Sequence, residues 1–152
     1  MAHPLDTGVL LRLVNAQDEM HAVVRQAVQC LLDRQEELFT TTQDVAEYWN
    51  VATRAVDQNG LGLPIATAAN LLETIIEATC AVLVEQASVY GELKRLVRTY
   101  NVSGKQVHDA RLTAMMIAWK VDAVLTLNDR DFRRYEPEGI AIVTPSSLAQ
   151  SG

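Results

Sequence analysis

The sequence has little that could staple a fold together from outside its core. Only two of its 152 residues are cysteines, Cys30 and Cys80. They lie far apart, form no CxxC pair and have no histidine at ligand spacing, so free thiols are expected rather than a disulfide framework or a zinc knuckle. Four prolines and the lack of any low-complexity tract argue against a disordered or fibrous chain. Aromatic residues make up only 5% of the sequence, so any core must be built from aliphatic side chains. No run approaches the roughly 20 apolar residues of a membrane span. The opening residues MAHPLDTG lack the basic-then-apolar pattern of a signal peptide. A cytoplasmic protein without membrane contact is therefore expected. An excess of positive charge is missing too. The net charge of −6 disfavours indiscriminate nucleic-acid binding but leaves room for a local basic rim or contacts made through metal ions.

What is present suffices for one domain, residues 1–152, with 49% hydrophobic residues to fill it. Short β-type runs at 4–5, 38–41, 79–83, 123–127 and 140–144 alternate with helical stretches at 9–14, 20–34, 42–56, 64–78, 88–100 and 104–121. That alternation predicts a three-layer α/β/α sandwich around a central parallel sheet of four to five short strands. In the stretch 20–34, Val23, Ala27, Cys30 and Leu31 form the inward stripe, and His21 is expected in solvent. The helix at 104–121 is apolar almost all round, Trp119 included, and so should be buried on most sides. Ser103 and Gln106 stand at capping-box spacing at its start. Trp49 and the stripes of the helices at 64–78 and 88–100 offer apolar surface for a two-fold homodimer, with a remaining groove for an amphipathic partner segment.

Polarity then places the chemistry. In right-handed β-α-β units each helix starts at the edge where the strands end, which is also where open α/β sheets hold their ligands. Asp6 follows the first strand, where it can serve either as a helix N-cap or as a site residue. Glu47 and Asp109 fall in the second turns of helices that begin at that edge, and Asn128, Asp129 and Asp131 follow the fourth strand. Four segments thus bring several carboxylates, and no histidine or cysteine, to one edge. Such oxygen donors suit magnesium or manganese and poorly suit zinc. Without a cation they would repel one another and raise their own pKa values.

Four blocks carry a family resemblance: LDTGVLLRL at 5–13, QDVAEYWNVATR at 43–54, VSGKQVHDARLTAMM at 102–116 and LTLNDRDFRRY at 125–135. In order, separation and local context the chain resembles the PIN-domain ribonucleases of the VapC toxin type over nearly its whole length. The resemblance implies a magnesium- or manganese-dependent endoribonuclease acting on RNA, usually a homodimer neutralised by a small antitoxin protein. It implies Asp6, Glu47 and Asp109 as metal-site acids. The family's fourth acidic position falls on Asn128 here. Asn128 can lend a carbonyl oxygen or orient a water, while Asp129 or Asp131 supplies the charge; Asp131, before Phe132, is the better match. Thr7 and Thr126 are supporting hydroxyls or turn residues, and Arg12, Arg111, Arg133 and Arg134 either hold phosphates or pair with the acids. An alternative is a non-catalytic PIN-like interaction module made inert by Asn128. A haloacid-dehalogenase-like phosphatase would need a second aspartate two residues after Asp6, where Gly8 stands. A phosphoacceptor receiver would need an acidic pair and a late lysine that are not found.

Overall fold

The computed structural model describes residues 2–151. Five parallel strands form its centre: β1 (Ala2–Pro4), β2 (Glu37–Thr41), β3 (Ala81–Leu83), β4 (Ala123–Leu125) and β5 (Ala141–Val143). β2 pairs with β1 and β3, with His3 opposite Leu38 and Thr40 opposite Val82. β4 pairs with β5, with Val124 opposite Ile142. The two ladders meet through one parallel bridge, Leu5 to Leu125. The sheet order is therefore β3-β2-β1-β4-β5, with the reversal of winding between β1 and β4.

Eight helices flank this sheet among the described residues: α1 (Thr7–Val14), α2 (His21–Asp33), α3 (Thr42–Thr53), α4 (Ile65–Leu71), α5 (Ser88–Thr99), α6 (Val107–Ala118), α7 (Asp129–Phe132) and α8 (Pro145–Ser151). α4 continues through a π turn, Leu72–Ile76, into a last helical turn, Glu77–Thr79. The pleat sends alternate side chains to opposite faces, and the two cores follow that alternation. Leu38, Leu125 and Val143 pack with Leu10, Leu31, Tyr48 and Ile76 from α1 to α4 and with Leu148 of α8. Their neighbours Phe39, Val124 and Ile142 pack with Leu96, Met116, Phe132 and Tyr135 on the α5–α6 side. The result is the expected three-layer sandwich. No helix among the described residues is long and apolar enough to cross a membrane.

Several local expectations are corrected. Ser103 makes no side-chain cap bond, because Gly104–Gln106 forms a 3₁₀ turn ahead of α6; Gln106 instead accepts a bond from Arg134 Nη1 at 3.2 Å. Trp119 lies past the end of α6, 38% exposed, with its indole N–H on the Val84 carbonyl at 2.9 Å. The inward stripe of α2 is Val24, Ala27, Val28 and Leu31, which leaves Cys30 only partly buried; Cys30 and Cys80 are both free. His21 is not a freely solvated side chain, since its Nδ1 stands 2.7 Å from the Arg12 carbonyl of α1. The apolar stripes expected to face a second copy point inward: Ala68, Ile76, Val89 and Leu96 are buried in the two cores, and Trp49 packs on the first. Among the described residues the large apolar side chains left exposed are Val56, Ile65, Val82, Val84, Tyr90 and Trp119.

Candidate active site

The reversal of winding between β1 and β4 opens a crevice at the carboxyl ends of the strands, the place such sheets reserve for ligands. Asp6 leaves β1 directly into it. Its Oδ1 accepts the Val9 amide at 2.9 Å as the N-cap of α1, and its Oδ2 accepts the hydroxyl of Thr126, the residue after β4. Asp6 therefore caps α1 and ties its start to the end of β4, and it lines the crevice as well. α3 starts at the end of β2, where Thr41 caps it by accepting the Asp44 amide at 3.1 Å. One and a half turns later Glu47 faces the crevice. Glu47 Oε2 accepts the Thr7 hydroxyl at 2.8 Å, and Oε1 accepts Gln43 Nε2 at 2.8 Å with His108 Nδ1 3.2 Å away. Asp109 enters from the first turn of α6. Asn128 donates its amide to Asp131 Oδ2 at 2.8 Å and, at 3.5 Å, to Asp109 Oδ2.

Asp6, Asp44, Glu47, Asp109 and Asn128 line one cleft of about 350 Å³, together with Thr7, Arg12 and His108. Asp131 joins them through Asn128. Asp129 is turned elsewhere: its carboxylate pairs with Arg133 at 2.9 Å, which holds its pKa below the usual range, and it lines a separate groove along β5. Among Asn128, Asp129 and Asp131, the last is thus the carboxylate that the structure joins to Asp109.

Two residues of the cleft are not predicted from the sequence. Asp44 is 7% exposed; its Oδ2 accepts the Thr41 hydroxyl at 2.8 Å and its Oδ1 lies 3.1 Å from the Thr7 hydroxyl. It sits three residues before Glu47, a spacing that places both acids on one helix face and that is visible in QDVAE. His108 corrects the expectation of an edge without histidine; its neighbour Asp109 is the available signal.

The carboxylates are electrostatically crowded. Burial pushes Asp44 up to about 7, opposed by the Thr41 bond and reinforced by Asp6 and Glu47. Burial also pushes Asp109 up to about 7, and Asp6, Asp131 and Glu47 add their repulsion. Asp6 is raised by burial in the same way, against the pull of its Thr126 and Val9 bonds. Among the described residues no three aspartate, glutamate, histidine or cysteine side chains are gathered into a metal cage. A magnesium ion needs no such cage, since it keeps several waters and takes one or two carboxylates. Carboxylate oxygens, with Asp6, Asp44 and Asp109 raised by burial, fit that ion.

The PIN domain family matches residues 5–137 of the chain. The chain also shares its fold with solved structures of low sequence identity. One is VapBC-1 from nontypeable Haemophilus influenzae, 12% identical, covering 96% of this chain and 99% of that one with a TM-score of 0.71. Another is FitAcB from Neisseria gonorrhoeae, 18% identical over 96% and 99% of the two chains, with a TM-score of 0.63. A third is VapC20 from Mycobacterium tuberculosis, described as a sarcin–ricin loop cleaving toxin, 17% identical over 82% and 87%, with a TM-score of 0.59. No curated protein matches the sequence. The chain belongs to the PIN-domain family.

Proposed function

We propose that this PIN-domain chain is a magnesium- or manganese-dependent endoribonuclease that hydrolyses RNA phosphodiester bonds. We further propose that it is the cytoplasmic toxin of a toxin–antitoxin pair, pairs as a homodimer through a face other than the buried stripes of α4 and α5, and is restrained by a small antitoxin protein. The observation that carries the nuclease reading is the convergence of Asp6, Glu47 and Asp109 on one cleft at the winding reversal, with Asp131 tied in through Asn128. The likeness in fold to a sarcin–ricin loop cleaving toxin supports it.

Asp6, Glu47, Asp109 and Asp131 would hold the metal. One or two such ions, when bound, supply the Lewis acidity that activates water and offsets charge gathering on the phosphate. The remaining residues prepare the site. Thr126 and the Val9 amide fix the two oxygens of Asp6, and Thr7 and Gln43 fix those of Glu47. The Asn128 amide spans Asp109 and Asp131 and keeps two like charges apart in a set orientation.

Calorimetric titration with manganese, beside cleavage of a panel of structured RNAs, tests the proposal. Saturable binding and metal-dependent cleavage are expected. A heatless titration at millimolar manganese would favour the inert interaction module, the reading suggested by the amide at position 128. If Asp131 carries the fourth charge, Asp131→Asn should slow cleavage roughly a hundredfold, and Asn128→Ala, which removes only an orienting bond, roughly tenfold. Equal rates for Asp131→Asn and the parent would take Asp131 out of the site.

A further inference from the structure

The sequence leaves Arg12, Arg111, Arg133 and Arg134 open between holding phosphates and pairing with acids, and the structure sorts them. Arg133 pairs with Asp129 over a separate groove. Arg111 is bonded to Glu85 and Gln43, and Arg134 to Gln106. Of these arginines, Arg12 is the one that lines the carboxylate cleft. It lies in the last turn of α1, the helix that Asp6 caps.

The Arg12 guanidinium is anchored at one end and open at the other. Its Nη1 donates to the Gly8 carbonyl at 3.3 Å. Its Nε is buried without a hydrogen-bond partner, and the Asp18 carboxylate 3.7 Å away is too far for one. Among the described residues Nη2 has no partner, and 36% of the side chain is exposed. Gly8 leaves open the space between this head and Asp6. A Cβ at Gly8 would stand 3.6 Å from Arg12 Nη1 and 3.4 Å from Asp6 Oδ1. The gap is thus flanked by a guanidinium and by a carboxylate assigned to the metal.

Charge says what belongs there. Even two divalent ions do no more than balance Asp6, Glu47, Asp109 and Asp131. Nothing is then left over for a phosphodiester anion, or for the further charge it gathers during attack. Arg12 supplies a positive charge that stays when the metal leaves. Burial drives the Asp6 pKa up while the Arg12 charge draws it down, so the two groups feel one another across the gap. A guanidinium also presents paired N–H groups to two oxygens of one phosphate, a match that an ammonium lacks.

We propose, resting on the ribonuclease reading above, that Arg12 grips the scissile phosphate of the RNA from the α1 side of the cleft and offsets the charge gathering on it as water adds and the ribose oxygen leaves. The acids carry the metal ion and Arg12 carries the anion.

The test compares Arg12→Gln and Arg12→Lys with the parent. It measures calorimetric titration with manganese, kcat and KM on the structured RNA panel, and binding of inorganic phosphate to the magnesium-loaded protein. Arg12→Gln should bind manganese at least as tightly as the parent, since a nearby positive charge is gone. Its kcat should fall about a hundredfold and its phosphate binding about tenfold. Arg12→Lys keeps the charge and loses the paired donors, so it should recover part of both. Parent-level kcat in Arg12→Gln overturns the inference. So does loss of manganese binding together with cleavage, which would make Arg12 a mere support for Asp6. A raised KM with kcat held also overturns it, because the phosphate gripped would lie away from the bond that breaks. A parent that binds manganese and phosphate but cleaves no RNA sinks the ribonuclease reading alone if Arg12→Gln abolishes phosphate binding, and both readings if it does not.

Discussion

Asp109→Asn is expected to reduce manganese-dependent RNA cleavage by a hundredfold or more, about 3 kcal/mol of transition-state stabilisation. The substitution keeps the shape of the side chain and its place in the first turn of α6, so the loss is one of charge. The same change should make the metal-free protein more stable. In the parent, folding confines the Asp109 carboxylate in a half-buried site near Asp6, Asp131 and Glu47, which is why its pKa climbs to about 7. An amide removes that repulsion and still accepts a bond from Asn128. Cleavage assays and denaturation in chelator, run side by side, check both halves. Undiminished cleavage by Asp109→Asn would remove Asp109 from the chemistry and point to a contaminating nuclease.

The second large effect is a dependence of stability on pH that runs opposite to the common acid-denaturation pattern. Folded, Asp44 and Asp109 keep their protons up to about pH 7; unfolded, they lose them near the ordinary aspartate value of about 3.9. Between those limits the folded chain binds more protons, so unfolding free energy falls as pH rises. The contribution is complete below about pH 4 and lost as pH passes 7. For Asp44, almost fully enclosed, it is on the order of 4 kcal/mol; the half-buried Asp109 adds less because solvent screens it. Asp129 and Glu138, held low by Arg133 and Arg95, lose their stabilising charge only at lower pH, outside this window. His3, whose pKa is lowered by burial, works the other way below about 6.5, one imidazole against three carboxylates, since burial raises Asp6 as well. Melting temperatures in chelator at pH 5, 6, 7 and 8 should therefore decline, and Asp44→Asn should flatten the decline. A profile that rises over this range, or is as steep in Asp44→Asn, would contradict the assignment.

The layers and the chemical edge are legible in the sequence because they rest on strong periodic signals. Leu38-Phe39 and Val124-Leu125 announce strands buried on both faces, and polarity alone places Asp6, Glu47, Asp109 and Asn128 at one end of them. The failures have physical causes. Periodicity carries the buried helix on through Trp119 because it does not say where a helix stops; Lys120 at φ 56° turns the chain just after it. The stripes of α4 and α5 look like spare surface because a sequence shows how much apolar face exists and not how much the sheet will cover. Asp44 is hidden since a helix-start aspartate has an ordinary use as a cap. Its burial comes with Thr7, 37 positions away, which no local pattern reports.

The single bridge between Leu5 and Leu125 also sets the order of events as the chain is made. β1 leaves the ribosome before the other strands, yet its neighbour β4 follows 120 residues later, and the Thr126 hydroxyl that fixes Asp6 comes with it. Contacts so distant in sequence are slow to form. A nascent chain that has already paired β1, β2 and β3 still lacks Asn128 and Asp131, and its crevice has one wall. On the ribonuclease reading proposed above, competence waits for β4, and a translation product truncated before β4 is expected to cleave no RNA.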